Sequence, residues 1–356
     1  MIKSVLKVGL VGCGKIANKH CSVLLSGEIT GLKLGGVCDL DKNKLDEISN
    51  KFNVKKYFNL EDMANDPEID IISILTESGT HASIAIKLAP YRKPVIVEKP
   101  MALTLADADK MIRIFLMNNT PLFVVKQNRY NLPIVQLKKA IDQGRFGKIN
   151  IGTIRVRWCR PQRYYDQDAW RGTWSMDGGV ISNQASHHLD MLIYLLGPVS
   201  KVKAFSKQSL AKIEAEDTLV GCIQFASGAI GTIEATTATR PKDLEGSISV
   251  LGDKGTVVIG GFAMNKIDTW LFEEETDEDN WIRENCAVNP PGQNGYAHKE
   301  FYKGVNASLR SEMKPLIDGL EGRKSLEFIN ALYQSVNSGK TVNLEINQSF
   351  NKLGIQ

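Results

Sequence analysis

Residues 5–17 read Val5-Leu6-Lys7-Val8-Gly9-Leu10-Val11-Gly12-Cys13-Gly14-Lys15-Ile16-Ala17, an apolar run that ends in paired glycines. This pattern predicts a strand over Val5–Val11, a tight turn, and a helix near Lys15–Leu25. Gly12 permits the turn, and Gly14 removes the Cβ that would keep a pyrophosphate off the backbone. Ala17 is small enough for the helix to pack on the strand. The helix N-terminus, at Lys15 and Ile16, offers free N–H groups and partial positive charge to phosphates. A glycine turn without a ligand is the bland alternative, and the strand–turn–helix context argues against it.

Outward from this turn the same alternation continues to about residue 125. Apolar runs at Leu32–Cys38, Ile69–Leu75, Pro94–Val97 and Leu122–Lys126 predict strands. Helical patterns fall near Asp41–Phe52, His81–Tyr91 and Ala106–Asn118. Strands apolar on both faces and separated by helices predict a parallel, doubly covered sheet of the Rossmann class. Asp39 ends the second strand, where a carboxylate can accept from the ribose hydroxyls and would repel a 2′-phosphate. No arginine follows, and Lys42 is expected on the outer face of the next helix, so NAD is favoured over NADP. Thr76, His81, Glu98 and Lys99, at or beyond strand ends, are also expected at the cofactor.

Beyond residue 130 the pattern changes. A helix over Asn131–Gln143 closes at Gly144, and strands then dominate: Ile149–Cys159, Val199–Ser206, Thr218–Phe225, Ile230–Thr237, Ile248–Leu251 and Thr256–Ile259. Ala226-Ser227-Gly228 and Gly252-Asp253-Lys254-Gly255 read as hairpin turns. An α+β domain with a mostly antiparallel open sheet is expected. The acidic segment Thr276–Asn280 reads as a solvated loop, and a closing helix near Arg323–Ser338 places Leu326, Ile329, Leu332 and Tyr333 on one face. The predicted domains are 1–126, for the cofactor, and 127–356, for substrate and assembly, with the closing helix packing back on the first.

Composition narrows the class. A chain of 356 residues exceeds one ordinary core, and its 43% hydrophobic and 24% charged residues are those of a water-soluble protein. The formal net charge of +4 is small and scattered, which argues against nucleic acid. The six cysteines lack zinc or disulfide spacing, so reduced thiols and a cytoplasmic location are expected. No apolar run is long enough for a membrane. His20, His81 and His298 are too scattered to suggest a metal, and none is expected.

Two features carry chemistry. Glu98-Lys99-Pro100 follows Pro94–Val97, at the carboxyl end of the sheet. There a lysine can bond a substrate hydroxyl and stabilise the alkoxide that develops as it is oxidised; taken alone, it would pass for a surface lysine. Pro100 restricts Lys99 to extended backbone. The second is Gly178-Gly179-Val180-Ile181-Ser182-Asn183-Gln184-Ala185-Ser186-His187-His188-Leu189-Asp190, read as a glycine pair opening a helix. Asn183 and His187 then share a face, and His188 points about 100° away. An imidazole titrating near neutrality can take the hydroxyl proton, although a structural histidine is an equal reading of the motif by itself.

In this order and at these intervals, the glycine turn, Glu98-Lys99-Pro100 and the His187-x-x-Asp190 helix resemble the Gfo/Idh/MocA oxidoreductases over nearly the whole chain. The resemblance implies a Rossmann domain, then an open sheet whose face often forms the subunit interface, hence a dimer or tetramer. It also implies catalysis by Lys99 and His187, with Asn183 where most of that family has Asp. The family's usual proline is missing from Thr76-Glu77-Ser78-Gly79-Thr80-His81.

Three stretches with Asn183-Gln184 resemble the subgroup that oxidises UDP-N-acetylglucosaminuronate at C3 in surface-polysaccharide (O-antigen, lipopolysaccharide) synthesis. They are Arg157–Arg160 with Tyr164-Tyr165-Asp166, then Trp170–Trp174, then residues 317–327. Some of that subgroup reoxidise NADH with 2-oxoglutarate. By the same resemblance Trp170, Arg171 and Gln127 lie near the nicotinamide, with Arg129 at the substrate.

Independently, Arg155, Arg157, Arg160, Arg163 and Arg171 interleave with Trp158, Tyr164, Tyr165 and Trp170. Guanidinium forks suit carboxylates and diphosphates, and aromatic faces suit sugars or uracil. Arg160, Arg163 and Tyr165 are the expected substrate contacts; about half the arginines are expected to be merely solvated. A dehydrogenase for an uncharged sugar or polyol, and a silent NAD-binding regulator, are the alternatives.

Overall fold

The computed structural model describes residues 3–288, 296–310, 315–344, 353 and 354, in two compact units. One runs to Gln127 and takes in the stretch ending at Arg323; the other begins at Asn128 and resumes at Lys324.

The first unit holds a six-stranded parallel sheet in the order β3-β2-β1-β4-β5-β6. Its strands are β1 (Leu6–Val11), β2 (Leu32–Cys38), β3 (Lys56–Tyr57), β4 (Ile71–Ile74), β5 (Val95–Val97) and β6 (Leu122–Val124). Val8, Leu10, Ile72, Ile74 and Val95–Val97 are wholly buried, as a sheet covered on both faces requires. Helices α1 (Lys15–Leu25), α2 (Lys42–Phe52), α3 (Leu60–Asn65), α4 (His81–Leu88) and α5 (Leu105–Met117) make the crossovers. The strand order reverses between β1 and β4, which opens the crevice where such sheets bind ligands.

The second unit is built on an eight-stranded sheet, β13-β12-β11-β7-β10-β9-β8-β14. Its strands are β7 (Ile149–Arg157), β8 (Val199–Lys207), β9 (Thr218–Phe225), β10 (Ile230–Thr236), β11 (Glu245–Gly252), β12 (Gly255–Gly260), β13 (Lys266–Phe272) and β14 (Val342–Asn343). Both predicted hairpin turns join antiparallel neighbours, β9 with β10 and β11 with β12, while β7 and β10 run parallel. The helices of this unit are α6 (Leu132–Asp142), α7 (Gln162–Tyr165), α8 (Ser186–Leu196) and α9 (Asp277–Cys286); α10 (Tyr296–Leu309) belongs to the first unit, and α11 (Gly319–Ser338) begins in the first and continues in the second. No helix among the described residues is long and apolar enough to cross a membrane.

One local expectation fails in part. The acidic segment 276–280 is exposed as expected except at Asp279, but it is not a loop: Thr276 caps α9, and Asp279 is 1% exposed. The Asp279 carboxylate accepts from both terminal nitrogens of Arg145, from the Trp270 indole and from the Thr276 backbone N–H. That one charge is buried in an ion pair with hydrogen-bond partners instead of facing water.

Candidate active site

In the first unit, Gly12 is required by geometry. Its φ is +102°, and a Cβ there would lie 2.8–2.9 Å from the backbone of Leu75 and Thr76 at the end of β4. The turn is thus pressed against the neighbouring strand. At Gly14 the opposite holds: a Cβ would meet nothing within 4 Å, and no side chain caps α1. An open backbone turn at an uncapped helix N-terminus fits a pyrophosphate. Lys15 there is exposed and Ile16 half-buried.

Asp39 is tied into the same turn. Its Oδ2 accepts from Cys13 N–H at 2.6 Å and its Oδ1 from Asp41 N–H at 2.8 Å. A fixed negative charge at the end of β2 supports NAD against its 2′-phosphorylated counterpart. Asp39→Ser is expected to lower the NAD:NADP ratio of binding constants by about tenfold or more, read by titration with each dinucleotide. A ratio unchanged in that variant would remove the carboxylate from the discrimination.

Lys99 sits half-buried just beyond β5, before a cis Lys99–Pro100 bond. Its backbone N–H donates to Glu98 Oε2 at 3.0 Å. Glu98 is 7% exposed, and its Oε1 lies 3.0 Å from His20 Nε2. Burial pushes the Glu98 carboxyl up, but the hydrogen bond from His20, with the nearby Lys99 charge, outweighs it and holds it at about 2. Glu98 therefore braces the lysine turn from inside the protein.

His20 and His298, far apart in sequence, come together at this carboxylate, all three within 4.8 Å by their ligand atoms. His20 Nδ1 is also 2.6 Å from the Tyr302 hydroxyl, so the ring links Tyr302 to Glu98. Burial pulls His298 down to about 3, which keeps it neutral.

His81, expected at the cofactor, is 1% exposed, with Nδ1 2.7 Å from the Pro100 carbonyl and Nε2 3.0 Å from that of Thr76. It pins two loops together instead, and burial lowers its pKa. Thr76 is half-buried, its hydroxyl 2.7 Å from that of Thr80.

In the second unit the helix begins only at Ser186, so Asn183 lies in the turn ahead of it and not on the helix as expected. The spacing survives because Asn183 N–H bonds the Gly179 carbonyl at 3.0 Å, one helical step back. Asn183 and His187 are both half-buried; His188 is 1% exposed and held at about 4 by burial. The Asn183 amide donates through Nδ2 to Asp177 Oδ1 at 2.6 Å.

Beneath this turn Glu216 accepts from Ile181 N–H and from Tyr333 Oη, both at 3.1 Å. Burial raises Glu216 to about 8. A folded-state pKa above the unfolded value of about 4.5 means that the native state holds the extra proton. Stability is therefore lost as pH rises from about 4.5 to 8, and Glu216→Gln should flatten the fall of Tm across pH 5–8. A variant with the parental slope would show that Glu216 ionises freely in the fold.

Two expected substrate contacts are corrected. Arg129 is buried, and forms a two-pronged pair with Asp190 in which both side chains are 1% exposed. Its Nε and Nη2 each donate at 2.9 Å, and Tyr194 lies 4.6 Å from its guanidinium carbon. Tyr165 is 6% exposed, bonds the Thr237 hydroxyl at 2.8 Å, and is pushed up to about 12 by burial. Both are held by interior partners. Their aromatic and cationic character in sequence is equally that of a well-partnered interior group.

Four other members of the arginine segment, Arg155, Arg157, Arg160 and Arg171, have acidic partners. Arg157 bonds Glu234 and Glu245 on the flanking strands, and Arg155 approaches Glu245 at 3.7 Å. Arg160 keeps Asp243 at 3.0 Å and lies over Trp158 and Tyr164, while Arg163 is exposed. Arg171 stacks between Trp170 and Tyr164, at 4.5 and 4.7 Å, and bonds Asp168. A cavity of about 780 Å³ beside it is also lined by Asp166, Asp168, Lys212 and Glu214, a mixed-charge wall. Gln127 is half-buried in the turn that follows β6.

The chain is similar to known proteins along its whole length. Residues 6–125 match the model of an oxidoreductase family's NAD-binding Rossmann fold, and residues 138–344 match that family's C-terminal alpha/beta domain. The WlbA dehydrogenase of Bordetella pertussis, solved with NADH and UDP-GlcNAcA, is 38% identical with a TM-score of 0.89, over 96% of this chain and 100% of that one. Its counterpart from Chromobacterium violaceum, solved with the same two ligands, is also 38% identical, with a TM-score of 0.91 over 98% of each chain. Myo-inositol 2-dehydrogenase of Thermotoga maritima is 27% identical over 96% of this chain and 99% of its own.

Proposed function

The chain belongs to the Gfo/Idh/MocA oxidoreductases and is an NAD-dependent sugar or polyol dehydrogenase, and from that premise we propose that its substrate is UDP-N-acetylglucosaminuronate, oxidised at C3. The observation that carries this reading is the likeness, along the whole chain, to two enzymes solved with that nucleotide sugar. Arg160 and Arg163 are the candidate anion contacts.

NAD, held by the Gly12–Gly14 turn, Lys15, Ile16 and Asp39, supplies the acceptor for the hydride that leaves C3. Lys99 donates a hydrogen bond to the C3 hydroxyl and stabilises negative charge on its oxygen. His187 takes the hydroxyl proton, so one hydride and one proton leave and a ketone remains. Asn183 contributes polar contact at the same group, and Trp170, Arg171 and Gln127 are the residues that would hold the nicotinamide.

The same reading makes the enzyme cytoplasmic, in bacterial O-antigen and lipopolysaccharide synthesis, with 2-oxoglutarate reoxidising bound NADH. Six free cysteines suit a reducing compartment. It also makes the protein a dimer or tetramer. Phe205, Val220, Ile230 and Ile151 share one sheet face and are 37–69% exposed, an apolar surface suited to burial between copies.

The test is a panel of UDP-N-acetylglucosaminuronate, UDP-N-acetylglucosamine and myo-inositol, each with and without 2-oxoglutarate. NADH absorbance, loss of two hydrogens by mass, and thermal shift are read together. Oxidation of the UDP sugar acid alone is expected. Turnover of myo-inositol with no response to either UDP sugar would sink the substrate assignment.

A further inference from the structure

Asp177 is 2% exposed and sits directly behind the half-buried Asn183. Its Oδ1 takes the Asn183 Nδ2 at 2.6 Å, and its Oδ2 takes Gly172 N–H at 2.9 Å. The backbone around it is closely held. Ser182 Oγ donates to the Asp177 carbonyl at 2.7 Å, and Asp177 and Gly178 N–H both reach the Thr173 carbonyl. Gly179 N–H donates to Tyr333 Oη at 3.0 Å, and a Cβ on Gly179 would lie 2.2 Å from Glu216. The carboxylate thus stands on a rigid support.

An ionised carboxylate only accepts hydrogen bonds, whereas a side-chain amide has one donating and one accepting end. A flipped Asn183 amide would set two acceptor oxygens against each other at hydrogen-bond distance. The amide is therefore held in one sense, with Nδ2 on Asp177 and Oδ1 on the other side of the same carbon.

We propose that Asp177 is a positioning residue, which turns Asn183 so that an acceptor oxygen is offered at the reaction site and which sets a carboxylate one hydrogen bond behind it. The inference rests on Asn183 lying at the substrate, as in the function proposed above. The acceptor receives a substrate hydroxyl or the N–H of protonated His187. Asp177's charge polarises the amide that makes that contact, so the site gains part of a carboxylate's effect without a full charge beside the hydroxyl.

The experiment is a double-mutant cycle of Asp177→Asn, Asn183→Asp and the two combined. kcat, KM and Tm are followed across pH 5–9, on whichever panel substrate the parent oxidises. Asn183→Asp opposes two carboxyl groups, which must share a proton. kcat near neutrality should fall by about ten- to a hundredfold, with a new ionisation in its pH profile and a Tm that drops as pH rises. Asp177→Asn lets the amide turn either way, so kcat should fall by about tenfold at nearly constant KM.

The combined variant restores one donor facing one acceptor. It should recover about tenfold over Asn183→Asp and lose the anomalous ionisation. Losses that simply multiply in the combined variant, or an Asp177→Asn enzyme with parental kcat and pH profile, would overturn the proposal; coupling seen in Tm alone would reduce Asp177 to a structural brace and overturn it equally. A parent that oxidises only myo-inositol refutes the substrate assignment and leaves the cycle to be read on that polyol. A parent that oxidises nothing in the panel refutes both.

Discussion

Lys99→Ala is expected to lose turnover by about 10³–10⁴-fold while binding NAD as tightly as the parent. A group held at the reacting hydroxyl to hydrogen-bond it and stabilise its developing negative charge is worth about two to four orders of magnitude, and that is the role proposed for this ammonium. The backbone should survive the truncation, because the turn is held by the backbone N–H of Lys99 on Glu98 and by Glu98 on His20, not by the lysine's own amine. Single-turnover oxidation in the presence of saturating NAD, beside a dinucleotide titration, separates the two effects. Turnover within tenfold of the parent would show that the alkoxide is stabilised by another group.

Arg129→Met should destabilise the protein by about 3–5 kcal/mol, because it leaves the Asp190 carboxylate buried with no counter-charge. Both side chains are 1% exposed and joined by two hydrogen bonds of 2.9 Å, so neither partner has access to water as a substitute. Urea unfolding of the variant gives the loss directly. Adding Asp190→Leu should return most of it, since an apolar pair carries no desolvation cost. If Arg129→Met unfolds like the parent and only raises KM, Arg129 is a substrate contact after all. The pair also explains the Asp190 of the His187-x-x-Asp190 motif: it anchors α8, the helix that presents His187, to the turn following β6.

The groups behind the proposed chemistry differ in how far the sequence exposed them. Lys99, Asn183 and His187 were visible because their motifs are local, and each emerges half-buried. The groups that hold them were not. Glu98 was assigned to the cofactor, although its carboxylate lies inside the protein on His20. Asp177 sits six residues before Asn183 and carried no periodic signal of its own. His20 and His298 were dismissed as scattered, because separation along the chain says nothing of contacts made by α1 and α10 against β5. Arg129 and Tyr165 misled for a related reason. Cationic and aromatic side chains suit an anionic sugar, but the same features suit an interior that supplies partners.

By itself the amino-acid order determined what depends on near neighbours. Alternating apolar runs and helical periods dictate a parallel sheet, paired glycines dictate the turn after β1, and hairpin signals dictate an antiparallel second sheet. Which charged groups end up in water was decided only by tertiary structure. Burial and pairing depend on residues brought from elsewhere in the chain, as Arg145 is to Asp279 or Tyr333 to Glu216. An isolated side chain has the same chemistry in either setting; it is the cost of removing its charge from water, met or unmet by a distant partner, that separates a brace from a binding group.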